Sequence, residues 1–131
     1  MKWNNVRVYD PHHAAPNVLT FMNKIFDAGE WVGIKNIYFV RNEDKDHKGC
    51  LITALEDNFR AEVRDKDGVI ILTPSEVPCI VINAMNDEVT MAFTLLHEIA
   101  HNVGIKDEIK ADEFVINKFS KLGISVKIIG E

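Results

Sequence analysis

Only two cysteines, Cys50 and Cys79, occur in the 131 residues, and they do not form a Cys-x-x-Cys pair. That argues against a disulfide framework and leaves both to pack as small apolar side chains in a reducing compartment. No apolar run approaches the roughly 20 residues of a membrane-spanning helix. The opening Met1-Lys2-Trp3-Asn4-Asn5 lacks the apolar stretch of a signal peptide. A cytoplasmic protein without a membrane partner is therefore expected. No basic cluster offsets the formal net charge of −5, which argues against a nucleic-acid-binding surface. Repeats, low-complexity tracts and breaks in composition are also missing, so residues 1–131 are expected to form one domain. With 47% hydrophobic and 27% charged residues, that domain can bury a core of its own. Nothing in the composition specifies an oligomeric state.

What is present centres on Leu95-Leu96-His97-Glu98-Ile99-Ala100-His101. Positions i and i+4 share a helix face, so His97 and His101 can reach a single metal ion from adjacent turns. Glu98 follows His97 by one position and falls beside such an ion, where a carboxylate can take a proton from a metal-activated water. The surroundings favour a helix. Asn86 offers a capping side chain, and Asp87 and Glu88 suit the positive helix end. Val89, Ala92, Phe93, Leu96, Ile99, Ala100 and Val103 recur at three- and four-residue spacing, and Gly104 supplies a stop. The motif is thus expected in the last turns of an amphipathic helix.

A catalytic zinc site takes three protein ligands and keeps one position for water. No histidine follows His101, so a downstream third ligand must be a carboxylate. Lys106-Asp107-Glu108-Ile109-Lys110-Ala111-Asp112-Glu113-Phe114 offers four. Asp107 reads as the N-cap of a second helix running to about Leu122 and closed by Gly123. Glu108 and Asp112 then lie on one face, in line with Val115, Phe119 and Leu122, while Glu113 points about a quarter turn away. A carboxylate on an inward face needs a partner. Glu108 is the expected metal ligand, and Asp112 the acceptor for a ligand histidine's second N–H. The competing assignment puts Asp112 or Glu113 on the metal and leaves Glu108 in solvent.

His-Glu-x-x-His on one helix, followed by Glu-x-x-x-Asp at the start of the next, resembles the gluzincin metallopeptidases. The run Asp-Glu-Ile-Lys-Ala-Asp-Glu-Phe most resembles the ImmA/IrrE-like metallopeptidases, through Glu108, Ala111, Asp112 and Phe114. The resemblance covers roughly residues 86–120. It implies zinc on His97, His101 and Glu108, Glu98 as general base, and Asp112 supporting a ligand histidine. It also implies peptide-bond hydrolysis by a metal-activated water, on a protein or peptide substrate. That family's members are regulatory proteases of bacteria and mobile elements that act on repressor proteins. The chain is short for such a protein and carries no recognisable DNA-binding or sensor domain.

The remaining pattern predicts an α+β fold of minimal zincin type, with a twisted sheet packed against the metal-bearing helix and a second C-terminal helix. A short strand ending at Tyr9 is followed by a helix opened by Pro16-Asn17, with Gly29 just past its end. Ile34–Val40 reads as a strand, and residues 41–49 as a charged loop containing His47. Residues 51–55 form a strand or a short helix. Phe59–Val63 and Val69–Leu72 flank the hairpin signal Asp65-Lys66-Asp67-Gly68. Pro78–Asn83 forms a strand expected to lie along the active-site cleft and to offer its edge to an extended substrate; the alternative is an interior strand whose Ile80 and Ile82 fill the core. Residues 124–128 alternate as a last strand.

Gluzincins usually place a downstream His or Tyr on the developing oxyanion, and neither follows His101. Tyr9, His12, His13, Tyr38 and His47 are the upstream candidates. Two other readings share the sequence: a catalytically weak or inactive zinc-binding regulatory or interaction domain of a phage or mobile element, and a metal-free interaction domain.

Overall fold

The computed structural model describes residues 1–44, 46–55 and 60–126. Lys2–Trp3 (β1) and Val6–Tyr9 (β2) form an antiparallel hairpin. Its turn, Asn4-Asn5, has positive φ at both positions. That mirror-image turn matches the twist of paired strands, and asparagine tolerates it better than most residues. After it come Ala15–Met22 (α1), Asn36–Val40 (β3), Gly49–Ile52 (β4), Ala61–Asp65 (β5), Gly68–Leu72 (β6), Cys79–Asn83 (β7), Glu88–Asn102 (α2) and Glu108–Ser120 (α3).

Five strands make one sheet in the order β1-β2-β3-β7-β4. β2, β3 and β7 run parallel, while β1 and β4 are antiparallel at the two edges. β5 and β6 form a separate hairpin closed by Asp65↔Gly68. The central strands β3 and β7 are buried at every position, as strands covered on both faces must be. Ile37, Phe39, Ile80 and Ile82 meet α1 and α2 through Val18, Leu19, Leu95, Leu96 and Ile99. Their alternates Tyr38, Val40, Cys79 and Val81 pack under Val63 and Leu72 of the hairpin. Each fully buried Leu or Ile of α2 contributes about 1.5–3 kcal/mol to that docking, which makes α2 a rigid platform. No helix among the described residues is long and apolar enough to cross a membrane.

The mixed α+β class agrees with the sequence pattern, and several elements differ in extent or place. β7 is not the edge strand expected of Pro78–Asn83, because β3 and β4 pair with its two sides. Among the described residues the edge belongs to β4, which falls at Gly49–Ile52 rather than in residues 51–55. α1 stops at Met22 and tightens into a 3₁₀ turn over Asn23–Ile25, well short of Gly29. There Asn23 accepts the indole N–H of Trp3 at 2.7 Å, and Phe26, extended, packs edge-on against Trp3. The start of α1 is capped by the Asp10 carboxylate, which accepts the N–H groups of Ala14 and Ala15. Asp87, not Asn86, caps α2 by accepting the Thr90 N–H at 2.7 Å, because the Asn86 side chain donates back to the Asn83 carbonyl. Asp107 caps α3 as expected. Residues 124–126 form no strand, and the rest of that expected strand, with Phe59, lies outside the described residues.

Candidate metal centre

α2 carries Thr94, His97, Glu98 and His101 at three- and four-residue spacing, a polar stripe on a helix otherwise anchored by buried apolar side chains. Gly104, with φ of +101°, then turns the chain. The Ile105 N–H returns to the Ala100 carbonyl at 3.0 Å, and α3 starts three residues later. This reversal sets the first turn of α3 beside the last turns of α2.

Three side chains converge there. His97 Nε2 lies 2.8 Å from Glu108 Oε2, His101 Nε2 lies 3.1 Å from Glu108 Oε1, and the two Nε2 atoms are 3.1 Å apart. The imidazole rings meet nearly at right angles. Zinc bonds of about 2.0–2.1 Å in tetrahedral array put neighbouring ligand atoms about 3.3 Å apart, close to these separations.

The other ring nitrogens decide what this convergence means. His97 Nδ1 lies 2.8 Å from Asp112 Oδ1, and His101 Nδ1 lies 2.6 Å from the carbonyl of Ile105. A carbonyl or carboxylate oxygen only accepts, so each Nδ1 carries the hydrogen. In the neutral ring each Nε2 then presents a lone pair, toward the other and toward a carboxylate. Three electron-rich groups facing one point with no hydrogen between them suit a divalent cation. The site residues therefore fit a zinc ion. Their exposures fit as well, since His97 and His101 are largely covered and Glu108 remains open on the solvent side.

Glu98 sits beside this point and is buried, at 7% exposure. Burial raises its pKa from the ordinary carboxylate value, against the lowering effect of His97 and His101. Asp112 contacts His97 but not the convergence point, Asp107 is engaged at the cap, and Glu113 is exposed. The geometry thus brings together His97, His101 and Glu108, with Asp112 behind. The Ile105 carbonyl could not be anticipated from residue type, because the acceptor is backbone.

These groups line a cleft of about 660 Å³ whose other wall is formed by Lys48, Gly49, Cys50 and Leu51. Gly49 permits that wall to come close: a Cβ there would fall 2.6 Å from the Val81 carbonyl oxygen and 2.8 Å from the Thr94 methyl. The Asn83 N–H donates to the Lys48 carbonyl. Antiparallel alternation then turns the N–H and C=O of Gly49 and Leu51 away from β7, toward the open edge. The Cys50 thiol is raised above its usual pKa by burial and by the nearby Glu98 charge.

Of the five upstream His and Tyr candidates, only His47 lines the cleft. Tyr38 is directed to Glu76, and Tyr9 packs on the Tyr38 ring. His12 donates from Nε2 to Asp65, at 2.9 and 3.1 Å to its two oxygens, with Asp67 at 3.9 Å. Those three groups could also hold a cation, but they include one imidazole and not two. His13, exposed, lies at the loop before α1. No protein-family model, curated protein or solved structure matches the chain.

Proposed function

We propose that the chain is a zinc-dependent endopeptidase of zincin type, acting in the cytoplasm on an extended segment of another protein. The observation that carries this reading is the convergence of His97 Nε2, His101 Nε2 and Glu108 on one point, with the buried Glu98 carboxylate beside it. Zinc held by those three residues would supply Lewis acidity, lowering the pKa of a water toward about 7 and polarising a peptide carbonyl. Glu98 takes the proton of the attacking water and delivers it to the departing amine. Its burial favours this, because desolvation raises its proton affinity. Asp112 and the Ile105 carbonyl orient the two imidazoles by fixing their tautomers.

The open edge of β4 supports a polypeptide as substrate. An extended chain laid along it can exchange main-chain hydrogen bonds with Gly49 and Leu51 and so pass in front of Glu98. Main-chain recognition needs few side-chain pockets, and a regulatory protein with an exposed extended segment fits it. Cys50 and Cys79, both free thiols, suit the reducing compartment included in this proposal.

The test is digestion of a proteome-derived peptide library by zinc-loaded protein, beside a Glu98→Gln variant. Cleavage is expected from the wild type, and a loss of several orders of magnitude from Glu98→Gln with zinc retained. Equal cleavage by both would remove Glu98 from its role. Retained zinc with no cleavage by either would replace the peptidase with a zinc-binding module.

A further inference from the structure

The reaction outlined above leaves one charge unattended. As water adds to a peptide carbonyl, its oxygen becomes an oxyanion, and preorganised donors aimed at that oxygen are usually a large part of catalysis. Besides acceptors and metal ligands, α2 and α3 contribute to the cleft the Thr94 hydroxyl, which is 9% exposed, but no cationic side chain and no imidazole beyond His97 and His101. An imidazole or cationic donor must come from the opposite wall. There the described residues include His47 and Lys48, immediately before the edge strand.

The loop carrying them is tied down from within. Asn83, at the end of β7, is 1% exposed. Its amide nitrogen lies within hydrogen-bond distance of three loop carbonyls: Asn42 at 3.0 Å, Asp44 at 3.1 Å and His47 at 2.9 Å. Its amide oxygen accepts the N–H groups of Asn42 and Met85. The His47 N–H donates to the Asp44 carbonyl at 3.1 Å. A buried side chain that gathers so many main-chain groups fixes the backbone of His47. From a fixed backbone an imidazole has only two torsions left to set, so its N–H can be preorganised. The four-carbon lysine stem and its strongly hydrated ammonium cannot be held as well.

We infer that His47, which lines the same cleft as Glu98 and the three converging side chains, is the hydrogen-bond donor to the oxyanion of the attacked carbonyl, and that Asn83 is its positioning residue. This assignment rests on the zinc peptidase reading. It gives the chain an oxyanion donor upstream of the metal helix, on the loop that leads into the substrate-binding edge.

Inorganic phosphate, a tetrahedral oxyanion, probes the site without a known substrate. Zinc affinity is measured first for the wild type, His47→Ala, His47→Gln and Lys48→Ala, and phosphate binding to the zinc-loaded proteins is then measured by calorimetry. Expected are equal zinc affinities and phosphate binding about tenfold or more weaker in His47→Ala, as for loss of a charge-assisted hydrogen bond. His47→Gln, which keeps a donor, should recover most of it. Unchanged phosphate affinity in His47→Ala, a loss confined to Lys48→Ala, or a zinc-loaded wild type that binds no phosphate would overturn the assignment. Failure of the wild type to bind zinc would instead defeat the underlying peptidase reading at the first measurement.

Discussion

His97 meets a carboxylate at each ring nitrogen, and the two contacts have different consequences. At Nε2, Glu108 is the open, solvent-side partner of the convergence, while at Nδ1, Asp112 is half-buried and holds the ring's hydrogen. Removing Asp112 leaves all three converging atoms in place but frees the tautomer and tilt of His97. Asp112→Ala should therefore weaken zinc binding by about 10–100-fold, the usual effect of losing an outer hydrogen-bond partner of a ligand histidine. Glu113→Ala should leave it unchanged, because Glu113 is exposed and contacts neither imidazole. Competition against a chromogenic chelator measures both, and a larger loss from Glu113→Ala would reverse the assignment of the acids. At this scale the sequence was informative because the relevant geometry is local. His97 and His101 are one turn apart, and Asp112 follows Glu108 by one turn of the next helix. What it could not indicate were partners that arrive through the tertiary fold. The Ile105 carbonyl is one. Another is Glu30, whose carboxylate lies 2.7 Å from the Lys118 ammonium on the inner face of α3.

Among the elements, β4 and the β5–β6 hairpin carry the clearest consequences. β4 approaches β7 and α2 so closely that only glycine fits at position 49. Gly49→Ala must push the strand off the Val81 carbonyl, at a cost of about 1–3 kcal/mol, and widen the cleft beside Thr94. Urea unfolding should register the loss, and a variant as stable as the wild type would show that β4 lies farther out. The hairpin is fastened by Asp65. Burial alone would raise the pKa of its carboxyl, but the Arg41 N–H and the His12 imidazole more than offset this and hold it below the ordinary value. A carboxylate lowered in the folded state adds stability that is complete above its unfolded pKa of about 3.9. That contribution disappears as pH falls through the lower folded value. Asp65→Asn should thus melt below the wild type near neutral pH, and the gap should close in acid. A gap that stays open in acid once the Asp65 carboxyl is protonated would contradict this account. The place of β4 was hidden in the sequence for a physical reason. Pro78–Asn83 directly precedes the metal helix and looks free to serve as an edge, yet edge or interior is decided by which distant strand pairs beside it. Likewise α1 ends early because Trp3, twenty residues upstream, engages Asn23.

For the whole molecule, the layers of helices, sheet and hairpin place a rigid floor, α2 and α3, opposite a strand edge that is unpaired among the described residues, across one cleft. Ile34–Val40 and Pro78–Asn83 read as strands, and the three- and four-residue spacing foretold α2, so the α+β class was legible. The cleft was not, since its far wall comes from residues 48–51, some fifty positions before the histidines. Zinc held at the proposed site would couple to this framework, because those residues join the end of α2 to the start of α3. An ion that binds only the folded chain stabilises it by about 2.7 kcal/mol at a hundredfold excess over Kd. His97 and His101, with Glu108, are the residues proposed to hold that ion. Metal analysis of the purified chain after zinc loading and exhaustive dialysis tests this most directly, with the His97→Ala/His101→Ala double variant alongside. About one zinc per wild-type chain and essentially none in the variant are predicted; stoichiometric zinc retained by the double variant, or none bound by the wild type, would contradict the account.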